Sequence, residues 1–124
     1  CTDLNSVKHC FFQISKVPSQ APGNFSVTAI SSSIITTSWQ LPPANSRHGI
    51  ITGFKLFYKK KSFSGLATMF TVNDGSLHNK TVTGLDKYTE YEFQVLAFTS
   101  VGDGPNSSVE VTRTKEDGNS RVLK

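Results

Sequence analysis

Three triplets in this chain carry a recognisable chemistry. Asn24-Phe25-Ser26, Asn79-Lys80-Thr81 and Asn106-Ser107-Ser108 each place a carboxamide two residues ahead of a hydroxyl, with no proline between them. That is the acceptor pattern for N-linked glycosylation of a secreted chain, and it predicts that Asn24, Asn79 and Asn106 face water. The plainer alternative is three surface asparagines in a chain rich in Ser and Thr. A second cluster is cationic: Lys59-Lys60-Lys61 with Arg47 would form a basic patch for an acidic glycan such as heparan sulfate, or for acidic lipid headgroups, and Lys55 and Lys80 would extend it. The competing reading is a charged strand end that discourages edge-to-edge association. Cys1 and Cys10 are too few for a disulfide scaffold and have no His at zinc spacing. They pair with each other across a short loop, pair with cysteines outside this chain, or stay free.

Enzyme chemistry finds no support in the residues. There is no Gly-x-Ser-x-Gly elbow, no His-Glu-x-x-His pair and no phosphate-cradling glycine loop. His9, His48 and His78 are scattered, and the nine acidic residues form no paired constellation. The reading is therefore a non-enzyme with no cofactor, no metal and no small-molecule substrate. Nucleic-acid binding is excluded on the same terms, because no stacking aromatics interleave with the lysines in a groove-forming element.

The elements that position these residues read as strands. The chain has 124 residues, 36% hydrophobic and 18% charged, with a formal net charge of +4. That is room for one domain with a real core plus short tails. No apolar run approaches the length of a membrane span. The start at Cys1 rather than Met, with no signal peptide, reads as a fragment cut from a longer protein. Val17-Pro18-Ser19-Gln20-Ala21-Pro22-Gly23 marks a boundary, since proline fixes φ and cannot donate to a ladder. Residues 1–17 are thus an N-terminal segment or linker, 18–116 the domain and 117–124 a tail. Within the domain, β-branched and aromatic stretches alternate with turn signals: 25–30, 34–39, 51–60, 67–72, 79–82, 90–98 and 108–113. Short strands at that spacing, without helical periodicity, predict two packed sheets. Alternation puts Ile35, Thr37, Trp39, Phe54, Leu56, Tyr58, Tyr91, Phe93, Val95 and Ala97 inside, joined by Phe25, Val27, Val82, Leu85, Val109 and Val111.

The order of marks resembles a fibronectin type III domain over about residues 18–116. A Pro-rich lead precedes Phe25 and Val27; Trp39 is followed by Leu41-Pro42-Pro43; Ile51-Thr52-Gly53-Phe54-Lys55-Leu56-Phe57-Tyr58 makes the third strand. Val82-Thr83-Gly84-Leu85 then leads to Tyr88-Thr89-Glu90-Tyr91-Glu92-Phe93, and Gly102-Asp103-Gly104-Pro105 makes the final loop. The resemblance implies an all-β, seven-stranded immunoglobulin-like β-sandwich. Trp39 would sit at the centre of its core, Leu85 would plug one end, and Tyr91 would pin a corner through its hydroxyl. The module is most similar to those of netrin-receptor-like, Sidekick-like and receptor tyrosine phosphatase ectodomains. That implies an extracellular interaction or spacer module of a single-pass adhesion receptor or secreted glycoprotein. Its partners would be another protein or neighbouring domains of its own chain. The alternative is an intracellular spacer of a large filament-associated protein. Val101-Gly102-Asp103 lies where integrin-binding members carry an acidic motif, but the Arg is absent.

If Phe54, Leu56 and Tyr58 point inward, Phe57 points outward, and so do Leu96 and Phe98 on the neighbouring strand. Phe57, Leu96 and Phe98, bordered by Lys55 and Lys59, are the expected partner surface.

Overall fold

The computed structural model describes residues 16–116. Its strands are β1 (Gly23–Ala29), β2 (Ile35–Gln40), β3 (Gly53–Lys60), β4 (Thr68–Val72), β5 (Asn79–Val82), β6 (Glu90–Phe98) and β7 (Glu110–Arg113). They form a three-stranded sheet in the order β1-β2-β5 and a four-stranded sheet in the order β4-β3-β6-β7, all pairings antiparallel. One 3-10 turn, Ala44–Ser46, follows Pro43 between β2 and β3. Cys1 and Cys10, and the 117–124 tail, lie outside the described residues.

Each strand is amphipathic with period two, and the apolar sides of the two sheets meet. Ile35, Phe54, Leu56 and Val95 are fully buried there, and Trp39, Val82 and Phe93 nearly so. Burying each such side chain stabilises the fold by about 1.5–3 kcal/mol. Trp39 packs on Phe54 with ring centroids 5.3 Å apart and on Phe25 at 6.4 Å, so one indole ties β1, β2 and β3 together. Tyr58 is stacked between Phe70 and Phe93, each at 5.8 Å, which closes the far end of the core across β4, β3 and β6.

Several polar groups at this core are paired, although the buried Trp39 Nε1 and His78 Nε2 have no hydrogen-bond partner among the described residues. Thr37 is 1% exposed, and its hydroxyl donates to the Lys80 carbonyl at 2.9 Å. The Tyr91 hydroxyl accepts the Asp86 amide at 2.9 Å, and the Thr114 hydroxyl donates to the Asp86 carbonyl at 2.6 Å. Asp86 is thereby held on both backbone groups, and the crossing between sheets is fixed. Gly84 makes that crossing at φ +72°, a left-handed conformation that side chains rarely adopt.

The last strand corrects the expected core. Glu92 pairs with Val111 and Tyr91 with Thr112. Directly paired residues share a face, so Thr112 lies on the Tyr91 side and Val111 on the outer side. Val109 and Val111 are 48% and 41% exposed and are not core residues. Thr114, just past the end of β7 and 1% exposed, is the buried residue of this segment.

Candidate contact faces

The fold leaves two broad outer faces. On the three-stranded sheet the outward residues are Asn24, Ser26 and Thr28 of β1, Thr36, Ser38 and Gln40 of β2, and Asn79 and Thr81 of β5. All are neutral and polar. They bond to one another: Ser26 and Ser38 share a hydrogen bond of 2.9 Å, and the Asn24 amide donates to Gln40 Oε1 at 2.7 Å.

The outer face of the four-stranded sheet is different. Across it, Met69 pairs with Phe57, Phe57 with Gln94, and Glu92 with Val111. Met69 is 47% exposed, and Phe57 and Phe98 are half-buried. Phe57, Lys59, Glu92, Gln94 and Val109 border a depression of only about 40 Å³. Small-molecule sites usually need some 300–1,000 Å³, so this surface suits a protein side chain rather than a ligand.

The expected partner surface is therefore partly right in placement and wrong in one member. Phe57, Lys55 and Lys59 do reach the outer side. Leu96 points the same way but is 6% exposed, so it is covered rather than presented. Lys55, its partner across the sheet, donates to Asp103 at 2.9 Å and lies 5.7 Å from the Phe98 ring centroid. The Lys55 stem and the Phe98 ring thus fold over this part of the sheet. The same ion pair engages the only acidic residue of Val101-Gly102-Asp103. Sequence reasoning weighed Met69 or Phe70 and the Lys stems as a cover over this surface, whereas Met69 is itself exposed, and it missed Val109 and Val111 as surface apolar residues. The pairing of Val111 with Glu92 was the missing signal, and periodicity alone does not supply it.

The basic cluster is split. Arg47 precedes β3 and donates through Nε to the Pro42 carbonyl at 2.8 Å, whereas Lys59, Lys60 and Lys61 lie at the other end of that strand. Eight extended residues span about 25 Å, so the four cations do not form one patch. Lys59 donates to the Phe63 carbonyl at 3.1 Å, and Lys60 is paired with Asp86. The hydrogen bond that the Lys60 ammonium donates to the Asp86 carboxylate, reinforced by the carboxylate's charge, raises the Lys60 pKa above its ordinary value.

A further exposed aromatic was also missed. Tyr88 is 56% exposed with φ +49°, and Arg113 sits over its ring at 4.7 Å while ion-pairing with Glu90 at 3.6 Å. A left-handed, non-glycine residue is a strained conformation that side-chain spacing does not reveal. Among the described residues no group of three His, Cys, Asp or Glu is placed to hold a metal ion, and no helix is long and apolar enough to cross a membrane.

The profile of the fibronectin type III domain matches residues 20–113. Protein sidekick-1 of Gallus gallus is 41% identical over 102 residues, covering 82% of this chain and 5% of that protein. Cell adhesion molecule DSCAM of Gallus gallus is 41% identical over 108 residues, again covering 82% of this chain and 5% of its own length. The chain thus spans about one-twentieth of these relatives. In solved structures, the third fibronectin III domain of human KIAA0343 protein superposes with a TM-score of 0.75 at 26% identity, covering 86% of this chain and 90% of that one.

Proposed function

This chain belongs to the fibronectin type III family, and from that premise we propose that it serves as a non-catalytic contact or spacer module in the extracellular part of a cell-adhesion receptor, with the outer face of its four-stranded sheet as the contact surface. The observation that carries this reading is the outward placement of directly paired Met69 and Phe57, and of exposed Val109 and Val111 beyond Gln94 and Glu92, on the outer face of that sheet. Lys59 and Glu92, paired across the strands at its border, would orient an incoming surface of opposite charge pattern. The relatives named sidekick-1 and DSCAM support the adhesion setting.

The occupant is a protein surface. An acidic glycan draws less support, because Lys55 and Lys60 are already ion-paired and Arg47 stands at the opposite end of β3. Attachment through a single membrane-spanning segment elsewhere in the parent protein belongs to the same proposal.

The test uses beads coated with the secreted chain and a Phe57→Ser/Met69→Ser variant, scored for adhesion to one another and to cultured neural cells. The expected result is strong loss of adhesion in the variant with its melting temperature retained. Equal adhesion of both chains would place the contact surface elsewhere. Inert wild-type beads would leave the spacer role alone.

A further inference from the structure

All three Asn-x-Ser/Thr triplets sit in the same phase relative to the sandwich. In Asn24-Phe25-Ser26, Phe25 turns in and meets Trp39, while Asn24 and Ser26 are exposed. In Asn79-Lys80-Thr81, Lys80 turns back to lie over the Phe70 ring at 4.7 Å, while Asn79 and Thr81 are exposed. In Asn106-Ser107-Ser108, Ser107 is 8% exposed, its Oγ accepting the Val95 amide at 3.0 Å, while Asn106 and Ser108 are exposed. The acceptors Asn24, Asn79 and Asn106 and their hydroxyl partners Ser26, Thr81 and Ser108 all lie in solvent, and the middle residue is the less exposed one in each triplet.

Two of the three acceptors share one face. Ser26 pairs with Ser38, and Ser38 with Asn79, so one row of the three-stranded sheet runs from the Asn24 triplet to the Asn79 triplet. Two strand spacings, about 10 Å, separate the row's ends. Asn24 has a reason of its own to be Asn, since its φ of +49° suits few other side chains. Asn79 has none. It lies in a regular strand, where Asn is disfavoured, and on β5, the free edge of its sheet. Every other outward residue of this face is a small or neutral hydrogen-bonding group, which is a surface that sugar hydroxyls can lie on without stripping water from a charge.

We propose that Asn24 and Asn79 carry N-linked oligosaccharides that together roof the outer face of the three-stranded sheet and cover the β5 edge, with Asn106 a third site at the end of the four-stranded sheet. In the transfer step the Asn Nδ2 attacks the anomeric carbon of a lipid-pyrophosphate-linked oligosaccharide. The new N–C bond forms as the C–O bond to pyrophosphate breaks; the lipid pyrophosphate leaves, and one of the two Nδ2 protons is lost to base. Asn24 keeps its second N–H, so its bond to Gln40 Oε1 survives modification. The roof makes the domain one-sided: strand addition at β5 is blocked, and contacts are directed to the opposite sheet. This inference rests on the extracellular reading above.

The experiment is intact-mass measurement of the full chain, expressed with a secretory leader in mammalian cells and recovered from both the medium and the secretory lumen, before and after treatment with a glycan-removing amidase. The same chain made in bacterial cytosol is the control for folding. The expected result is one glycan mass lost with Ser26→Ala and one with Thr81→Ala, substitutions that leave Asn24 and Asn79 in place. Amidase treatment should also leave Asp at both acceptors. Folded chain in the lumen or medium with Asn24 and Asn79 unmodified overturns the proposal while leaving the extracellular reading standing. A chain that folds in the cytosol but is degraded from the lumen sinks that reading and the glycans with it.

Discussion

The two sheets are built alike on the inside and unlike on the outside. Inward, both present large apolar side chains, broken in β2 only by Thr37: Ile35, Trp39 and Val82 from one, Phe54, Leu56, Phe93 and Val95 from the other. Outward, the three-stranded sheet shows Ser, Thr, Asn and Gln, whereas the four-stranded sheet shows Phe57, Met69, Val109 and Val111 among Lys55, Lys59 and Glu92. Apart from the covered Leu96, core packing draws on the inner faces, so the outward Phe57, Met69, Val109 and Val111 are not a requirement of that core. It sorts one face toward hydration and the other toward contact.

The comparison breaks first at Leu96. This residue belongs to the outer side of the four-stranded sheet yet is 6% exposed. We expect Leu96→Ala to cost about 2–4 kcal/mol in chemical denaturation, because it removes buried methyl groups and leaves a cavity beneath Phe98 and the Lys55 stem. Ser38→Ala, central on the other outer face, should stay within about 0.5 kcal/mol. Equal costs would mean that the two outer faces are energetically the same and that the contrast is only one of composition. Gly53→Ala should follow at about 1–3 kcal/mol. Its new methyl would fall inside contact distance of the Phe98 ring and of the Val72 carbonyl, which is backbone in the paired strand β4.

Why Leu96 was hidden in the sequence, when so much else was legible, is instructive. The seven strands and their inner residues on β2, β3 and β6 follow from period two and a few turn residues, and the Leu85–Tyr91 corner from the family resemblance. Alternation gives the side of the sheet on which a residue lies. Whether that side is wet depends on what lies across the strands, and Leu96 is 6% exposed beside a Lys55 that reaches over the Phe98 ring. The seventh strand failed for the related reason that Val109-Glu110-Val111-Thr112 reads as an inward-facing valine pair in isolation, while its pairing to Glu92 and Tyr91 sets the opposite phase. The triplets were legible as chemistry; their common phase and shared face required the fold.

A smaller effect sharpens the contrast. Phe57→Ser and Met69→Ser should each cost under about 1 kcal/mol, since both side chains are already largely or partly in water and lose little buried area. Stability so little dependent on two large apolar residues would leave contact as the remaining account of their presence. A loss above about 2 kcal/mol, read from the same denaturation curves, would assign them instead to the covered cluster around Leu96.

The smallest expected effect lies in the link that carries the chain from one sheet to the other. Between β4 and β5, the Asp74 carboxylate accepts the Ser76 hydroxyl at 2.6 Å and the Ser76 amide at 2.9 Å. These bonds favour the charged form and hold its pKa below the ordinary 3.8, the hydroxyl contributing most. A carboxyl group whose folded pKa is depressed contributes stability above its unfolded value and loses it as the pH falls through the folded one. The wild-type chain should therefore lose this contribution only below about pH 4, the window set by that ordinary value. Asp74→Asn keeps an acceptor for the turn but removes the titration, so its acid limb should be shallower, and Ser76→Ala should flatten it in the same way. The carboxylate is fully in water, which is why the change ranks last. Superimposable acid limbs for wild type and both variants would show that the crossing between the two faces is held by packing alone, with the turn a passive connection.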